Sequence, residues 1–202
     1  MRRPFVVLGL LGVLIGAGCS SSSGSSSSSS TTTTTAPATT DLASLLPASV
    51  PSGYPRQPDV AGGGGPSDLQ QAVTFDGSPG ARQALTSAGF VRGHERFWIG
   101  NSVDEDVVVL FQFATPAGAQ SYLKYSHTSL SSPEANSSPT PFAVSVIPGA
   151  FGVQVPTDRS WVTTVVFAKG VYVAQADATG PPHADRAAEA TTLAQFLYGR
   201  LP

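Results

Sequence analysis

Cysteine is nearly absent from the chain, which contains one, Cys19, among 202 residues. No disulfide bond can form within one molecule, so a folded domain must be held together by packing and hydrogen bonding. A small disulfide-stapled scaffold is therefore excluded, although the N-terminus described below is typical of secreted proteins.

Basic residues are also few. The chain has 11 Lys and Arg against 13 Asp and Glu, and Arg2 and Arg3 belong to the N-terminal signal described below. The remainder is mildly acidic, without the basic stripe through which proteins bind nucleic acid or the polybasic patch that binds anionic lipid. We therefore expect no nucleic-acid partner and no polybasic membrane-binding surface.

Motifs for catalysis and for metal binding are missing. The sequence has no Gly-x-Ser-x-Gly elbow, and His94, His127 and His183 stand apart from any second ligand at metal-binding spacing, which is typical of solvated surface histidines. The acidic run 104–106 lacks the alternating ligands and the glycine of a calcium loop, so we read it as a solvated turn. We expect no metal, no cofactor and no enzyme activity. A small extracytoplasmic hydrolase with a site assembled from distant residues stays open as an alternative.

The chain has no apolar run long enough to cross a bilayer, which takes about 20 residues. The N-terminal run, residues 5–17, is shorter. It follows Arg2 and Arg3 and ends in Gly16-Ala17-Gly18-Cys19, a pattern that indicates a secretory signal with cysteine at the cleavage point. An ordinary secreted protein and a retained N-terminal anchor are the alternatives.

Small residues followed directly by cysteine resemble the lipobox of bacterial lipoproteins. The resemblance implies a signal peptide over residues 1–18 and a diacylglyceryl group on Cys19, which becomes the mature N-terminus. It also implies attachment to the outer face of the cell membrane through palmitate-type acyl chains. One departure concerns Gly16, which stands where a bulky aliphatic residue is usual, with Ile15 one place further back.

The stretch that follows, residues 19–66, predicts a tether. Residues 20–40 are almost entirely Ser and Thr and offer nothing for a core, so we expect a disordered coil spanning roughly 25 Å. Such tracts accept O-glycosylation in secreted proteins, or act as bare spacers. Prolines and a glycine run continue the tether to residue 66, although Leu45, Val50 and Tyr54 could contact the domain surface.

Residues 67–202 predict one α+β domain, a two-layer sandwich of a twisted antiparallel sheet with helices packed on one face. Apolar alternation marks the strands and 3.6-residue periodicity marks the helices. The small residues Ala174, Ala176 and Ala178 should lie beneath the last helix. Strands are predicted over 73–75, 90–99, 103–114, 142–147, 151–155, 161–168 and 171–176, and helices over 79–88, 116–128 and 183–198.

Several phrases of this region resemble lipoproteins of mycobacteria and related actinobacteria, whose domains look like the PsbP-type α/β sandwich. They are Leu85-Thr86-Ser87-Ala88-Gly89-Phe90, Arg96-Phe97-Trp98, Phe111-Gln112-Phe113, Ala117-Gly118-Ala119, Ile147-Pro148-Gly149 and Phe167-Ala168-Lys169-Gly170-Val171-Tyr172-Val173. The resemblance covers roughly residues 70–200, which is most of the predicted domain. It implies a binding or accessory role in the cell envelope and provides no catalytic residue.

One strand face carries the candidate ligand-binding residues. Arg92, His94 and Arg96 occupy alternate positions of the predicted strand 90–99 and share a face with Trp98, which suggests an anion-holding edge on a groove between sheet and helices. Trp161 is the second aromatic candidate, and core packing is the alternative for both tryptophans. The sequence thus predicts a membrane-tethered extracytoplasmic module that binds an envelope lipid, glycan or protein, or else a surface protein without a specific small ligand.

Overall fold

The structure is a computed structural model of the chain, and it describes residues 41–60, 64–133 and 138–202. The predicted signal peptide (1–18), the lipidation site Cys19 and the Ser/Thr part of the tether lie outside the described residues. Within them, seven strands and five helices are present.

The strands form one antiparallel sheet with the order β1-β2-β3-β7-β6-β5-β4. The strands of residues 90–99 and 105–113 pair along their whole length, from Phe90 opposite Phe113 to Ile99 opposite Glu105. The pairing is irregular between Phe90 and Arg92. The predicted strand 90–99 is confirmed in both bounds, and Gly170 at φ 56° turns the predicted final hairpin. The strands are β1 Gly65–Ser67, β2 Phe90–Ile99, β3 Glu105–Phe113, β4 Thr140–Phe142, β5 Phe151–Pro156, β6 Trp161–Lys169 and β7 Tyr172–Gly180.

The helices begin at local capping signals where the sequence provides them. Thr115 caps the fourth helix through the Gly118 amide, with Pro116 in its first turn as predicted. Asp68 and Gln71 form a capping box at the second. No helix among the described residues is long and apolar enough to cross a membrane. The helices are α1 Leu42–Leu45, α2 Leu69–Asp76, α3 Ala81–Ser87, α4 Pro116–Ser131 and α5 Ala187–Arg200.

The α+β class and the antiparallel sheet are confirmed, but helices cover both faces of the sheet rather than one. One core cluster joins Val108 and Leu110 of β3 to α1 and α5, and we call this side the α5 face. The other joins Val107 and Val109 to α2, α3 and α4, and we call it the α4 face. The reason lies in β3, which is apolar at odd and even positions alike, so that both of its faces must be removed from water.

The last helix packs where the small residues predicted it. Ala174, Ala176 and Ala178 are fully buried on the α5 face, in one cluster with Leu193 and Leu197 of α5. Because alanine side chains are small, the leucine side chains of α5 can pack directly against β7. This prediction is confirmed, although α5 begins at Ala187, later than expected.

The compact part of the chain begins earlier than the predicted boundary at residue 67. Residues 41–60, here called the 41–60 segment, contain α1 and pack on the α5 face. Leu42, Leu46 and Val50 belong to the core there, with exposed fractions of 3%, 3% and 7%. The expected contacts of Leu45, Val50 and Tyr54 with the domain are confirmed, since Val50 belongs to this core and the other two pack against it. The burial of Leu42 and Leu46 was not predicted.

Two predicted strands differ from the structure. Residues 73–75 belong to α2, because the capping box at Asp68 begins a helix that a three-residue β pattern cannot outweigh. Of 142–147, Phe142 alone pairs with β5. Val144 and Ile147 are buried without belonging to a strand, so their apolar pattern reflects burial alone.

The two edge strands are short and contain proline. Both β1 and β4 have three residues, with Pro66 and Pro141 at their centres. Proline has no amide hydrogen to donate to a further strand.

Close packing of α3 against α4 depends on Gly118. A Cβ atom at this position would overlap the carbonyl oxygen of Ala88. We expect Gly118→Ala to lower the free energy of unfolding by at least about 2 kcal/mol, because backbone would have to move. Gly199 in α5 has no atom near its missing Cβ, so Gly199→Ala should be neutral or stabilising by up to about 1 kcal/mol. Urea unfolding of both variants measures the difference, and equal effects would contradict this account.

Candidate anion-binding site and its surroundings

The structure brings four of the five predicted ligand residues together and leaves the fifth apart. Arg92, His94, Arg96 and Trp98 alternate along β2 and share the α5 face, as the paired residues Leu110 and Asp106 of β3 indicate. Trp161 stands on β6, with β3 and β7 between it and β2. Its ring lies 4.8 Å from that of His183, by centroids.

The predicted groove over β2 is filled by the 41–60 segment. Trp98 is fully buried in the core of the α5 face, and His94 and Arg96 are 4% and 5% exposed. Trp98 therefore takes the core role, the alternative considered for it, and His94 is not the solvated histidine that its isolation in the sequence suggested. Arg92 lies further along the strand, where its Nε donates to Oε1 of Gln112 at 2.7 Å.

Arg96 binds the 41–60 segment to the sheet. Its Nη1 donates to the carbonyl oxygens of Pro47 at 2.7 Å and Leu46 at 3.3 Å, and its Nη2 to that of Ala43 at 3.4 Å. These carbonyls lie at or just beyond the C-terminus of α1, where unpaired oxygens need donors. A guanidinium with five donors suits this position, because one side chain satisfies several carbonyls at once.

Three nitrogen-bearing side chains converge on a single oxygen of Asp59. Oδ2 of Asp59 lies 2.7 Å from Nη2 of Arg56, 3.5 Å from Nε2 of His94 and 4.0 Å from Nη2 of Arg96. The Asp59 side chain is 28% exposed, whereas those of His94 and Arg96 are 5% and 6% exposed. Asp59 thus lies between solvent and two buried nitrogen groups.

The electrostatics of this cluster favour an anion at the position of Asp59. Partial burial raises the pKa of Asp59, but the hydrogen bond from Arg56 and the charges of Arg56, Arg96 and His94 outweigh it, so its pKa lies below the usual range. Burial and the charge of Arg96 lower the pKa of His94 despite Asp59. His94 is therefore neutral at pH 7 and acts as a hydrogen-bonding group rather than a cation.

A second polar cluster lies on the same face beside Trp98. Asp106 is fully buried, and its Oδ2 accepts a hydrogen bond from Oγ of Ser52 at 2.5 Å. Arg186 donates to Oδ1 of Asp104 at 2.6 Å and to the hydroxyl of Tyr54 at 3.1 Å. The run 104–106 is therefore no solvated turn, since its last residue is enclosed and its first is ion-paired.

Four buried polar side-chain atoms lack a hydrogen-bond partner among the described residues. They are His94 Nε2, Arg96 Nε, Trp98 Nε1 and Asp106 Oδ1. All four are on β2 and β3 on the α5 face, in the part of the face that the 41–60 segment crosses. Unsatisfied polar groups are costly to bury, and their grouping distinguishes this region from the rest of the described core.

A shallow cleft lies on the opposite side of the sheet, beside α4. It measures about 360 Å³ and is lined by Leu123, Lys124 and His127 of α4 together with Ala150 and Phe151. The His127 ring lies 4.6 Å from that of Phe151. The volume is at the lower end of the range for ligand pockets. Three polar residues of α4 line the cleft, Gln120, Lys124 and His127, beside its apolar residues.

Nothing in the described residues assembles a nucleophile or a metal centre. No hydrogen bond described there joins a histidine to a serine, and no three His, Cys, Asp or Glu residues are placed to hold a metal ion. Sequence reasoning did not find Asp59, Arg56, Ser52 or Arg186 as site residues. For Asp106 a signal was available, because it alternates in phase with Val108 and Leu110.

Comparison with known proteins identifies a likeness in fold. No family model matches the chain, and no curated protein matches it. Among solved structures, the crystal structure of the extracellular domain of PknH from Mycobacterium tuberculosis is similar, with a TM-score of 0.51. The identity is 12%, over 78% of this chain and 94% of that chain. The lipoprotein and PsbP-type resemblances stay predictions, and the chain has a fold similar to that of a mycobacterial extracellular domain.

Proposed function

We propose that the chain is a lipid-anchored extracytoplasmic binding or accessory module of the cell envelope, without catalytic activity of its own. The observation that carries the proposal is Cys19, placed directly after a short apolar run that begins with Arg2 and Arg3. The likeness in fold to an extracellular domain supports the same location.

The architecture suits a tethered binder. A Ser/Thr-rich stretch separates Cys19 from the first described residue, Asp41, and would let the domain stand off the bilayer on a flexible coil. More than one acyl chain on Cys19 would give lasting attachment, where one chain gives marginal binding.

Two regions could hold a ligand of the module. The cleft beside α4 has the apolar lining of Leu123 and Phe151 that a piece of an envelope lipid or glycan would contact. The cluster around Asp59 offers Arg56 and Arg96 to an anionic group. Neither region pairs a nucleophile with a base, and this favours binding over the hydrolase alternative.

Mass spectrometry of the full chain purified from its own membranes tests the proposal. We expect a mature protein that begins at Cys19 and carries acyl groups, together with any apolar ligand that remains bound. Cys19→Ser should abolish acylation and move the protein from the membrane fraction to the soluble fraction. Recovery of the natural chain in the soluble fraction with an unmodified thiol would contradict the anchor.

A further inference from the structure

We propose that Arg56, His94 and Arg96 form a binding site for a phosphate group, and that the protein's own Asp59 occupies this site when no ligand is present. The inference deepens the proposed function, since it gives the binding module a ligand class. The site itself does not depend on Cys19, so the two can fail separately.

The geometry is that of an oxyanion site. Nitrogens of Arg56, His94 and Arg96 lie 2.7, 3.5 and 4.0 Å from one oxygen of Asp59. The first distance is a charge-assisted hydrogen bond, whereas the other two are longer than one. Asp59 therefore fills the position without satisfying all its donors.

The unsatisfied donors are the second observation. His94 is more than nine-tenths buried, and its Nε2, the atom that faces Asp59, lacks a hydrogen-bond partner; the same holds for Nε of Arg96. A phosphate group carries three or more acceptor oxygens where a carboxylate has two. Its further oxygens could reach Nε2 of His94 while one oxygen still binds Arg56.

The charges point to phosphate rather than to a second carboxylate. Arg56 and Arg96 provide two permanent positive charges, and Asp59 supplies one negative charge at the site itself. The charge of Asp41 also acts on His94 and Arg96, but less strongly than that of Asp59. A phosphate monoester carries between about 1.5 and 2 negative charges at pH 7, so it balances the two guanidinium groups better than Asp59 does. Planar guanidinium forks also suit phosphate oxygens.

Access follows from the position of Asp59 in the 41–60 segment. The Asp59 side chain is 28% exposed and that of Arg56 is 39% exposed, so the carboxylate can turn outward while Arg96 keeps its bonds to the carbonyls of α1. Displacement of one side chain, and not of the whole segment, opens the site. Because the Asp59 carboxylate competes with the ligand, the apparent affinity for the ligand is the intrinsic affinity multiplied by the fraction of time that the site is free.

The test uses the full mature chain in a Cys19→Ser background, so that no acyl group contributes to lipid binding. Equilibrium dialysis with labelled inorganic phosphate should show Asp59→Asn binding at least about tenfold more tightly than its parent, because the competitor is lost. Asp158→Asn makes the same change of charge in the exposed turn before β6 and should not alter binding. Adding Arg56→Gln to Asp59→Asn should abolish the gain.

The source of the phosphate is decided by a second arm with lipid vesicles. Phosphatidylcholine vesicles with and without phosphatidic acid are mixed with the same variants and floated. Binding of Asp59→Asn to vesicles with phosphatidic acid alone assigns a lipid headgroup, whereas binding of inorganic phosphate alone assigns a free phosphate. If Asp59→Asn binds neither more tightly than Asp158→Asn does, the proposal is overturned.

If Asp59→Asn folds poorly, a second comparison still tests the proposal. Circular dichroism establishes whether Asp59→Asn is folded, and if it is not, the parent is compared at high phosphate concentration with Arg56→Gln, which alters a partly exposed side chain. The parent should bind more phosphate than Arg56→Gln. Equal binding by the two overturns the proposal.

Discussion

Removing residues 41–60 is expected to abolish cooperative unfolding of the domain, whereas removing residues 19–40 is expected to leave its unfolding temperature unchanged. Leu42, Leu46 and Val50 are each at least 93% buried on the α5 face. At about 1.5–3 kcal/mol for each of the three buried side chains, their loss removes roughly 4.5–9 kcal/mol, which is as large as the whole stability of many domains.

The same deletion harms Arg96. Without the 41–60 segment its guanidinium loses the carbonyls of Pro47, Leu46 and Ala43, and water would replace these charge-assisted hydrogen bonds on a sheet face that the segment no longer covers. Thermal unfolding followed by circular dichroism compares chains that begin at Cys19, Asp41 and Ala61. A chain from Ala61 that melts like the chain from Asp41 would show that the segment is an attachment and not part of the core.

Single substitutions separate docking from chain length. In the full chain, Leu46→Ala should cost about 2–5 kcal/mol, the range for large-to-small changes in cores. Val60 belongs to the same segment but is 56% exposed, so Val60→Ala should change the stability by less than about 0.5 kcal/mol. Equal effects would mean that the segment contributes through its backbone alone.

The domain should lose stability as the pH rises from 4 to 7.5, and Asp106→Asn should remove a large part of that loss. Burial raises the pKa of Asp106 from 3.8 to about 6, with Glu189 and Asp104 adding to the effect while Ser52 and Arg186 oppose it. Because the folded state holds the proton more tightly than the unfolded state, the stabilisation is complete below pH 3.8. It is lost as the pH rises through about 6.

The size of the effect follows from the shift. Two pKa units correspond to roughly 3 kcal/mol of unfolding free energy, measurable as the difference between urea titrations at pH 4 and pH 7.5. Burial likewise raises the pKa of Glu95 from 4.5 to about 7, against a hydrogen bond from Ser67, so the variant should retain a loss of similar size in the same direction, and Asp106→Asn should remove about half of the total. An Asp106→Asn variant whose stability depends on pH as steeply as the parent's would contradict the assignment.

The parts of the fold that were predictable have local causes. The bounds of β2, the start of α4 at Thr115 and Pro116, and the glycine turn at Gly170 are each specified by neighbouring residues. Alternation also predicted that Arg92, His94, Arg96 and Trp98 share one face. What alternation could not predict is the occupant of that face.

The apolar contacts of Leu45, Val50 and Tyr54 were predicted, but the polar contacts that hold the 41–60 segment left little trace in the sequence. The partners of Arg96 are backbone carbonyls about 50 positions away, and a carbonyl is present at every residue, so no side-chain pattern marks it. The Asp59 contact is likewise decided by tertiary structure. The burial of both faces of the sheet could have been predicted from β3, because its residues 107–110 are all apolar and do not alternate with polar ones.

The proline-centred edge strands bear on how the protein behaves when many copies share one surface. Anchored molecules would meet at high local density, the circumstance in which open sheet edges recruit a neighbour's strand and extend into aggregates. Pro66 and Pro141 each remove a donor from a three-residue border, so one molecule offers little template to the next. With the proposed anchor, the two prolines would hinder extension of the sheet from one copy to the next when the molecules are crowded on a membrane.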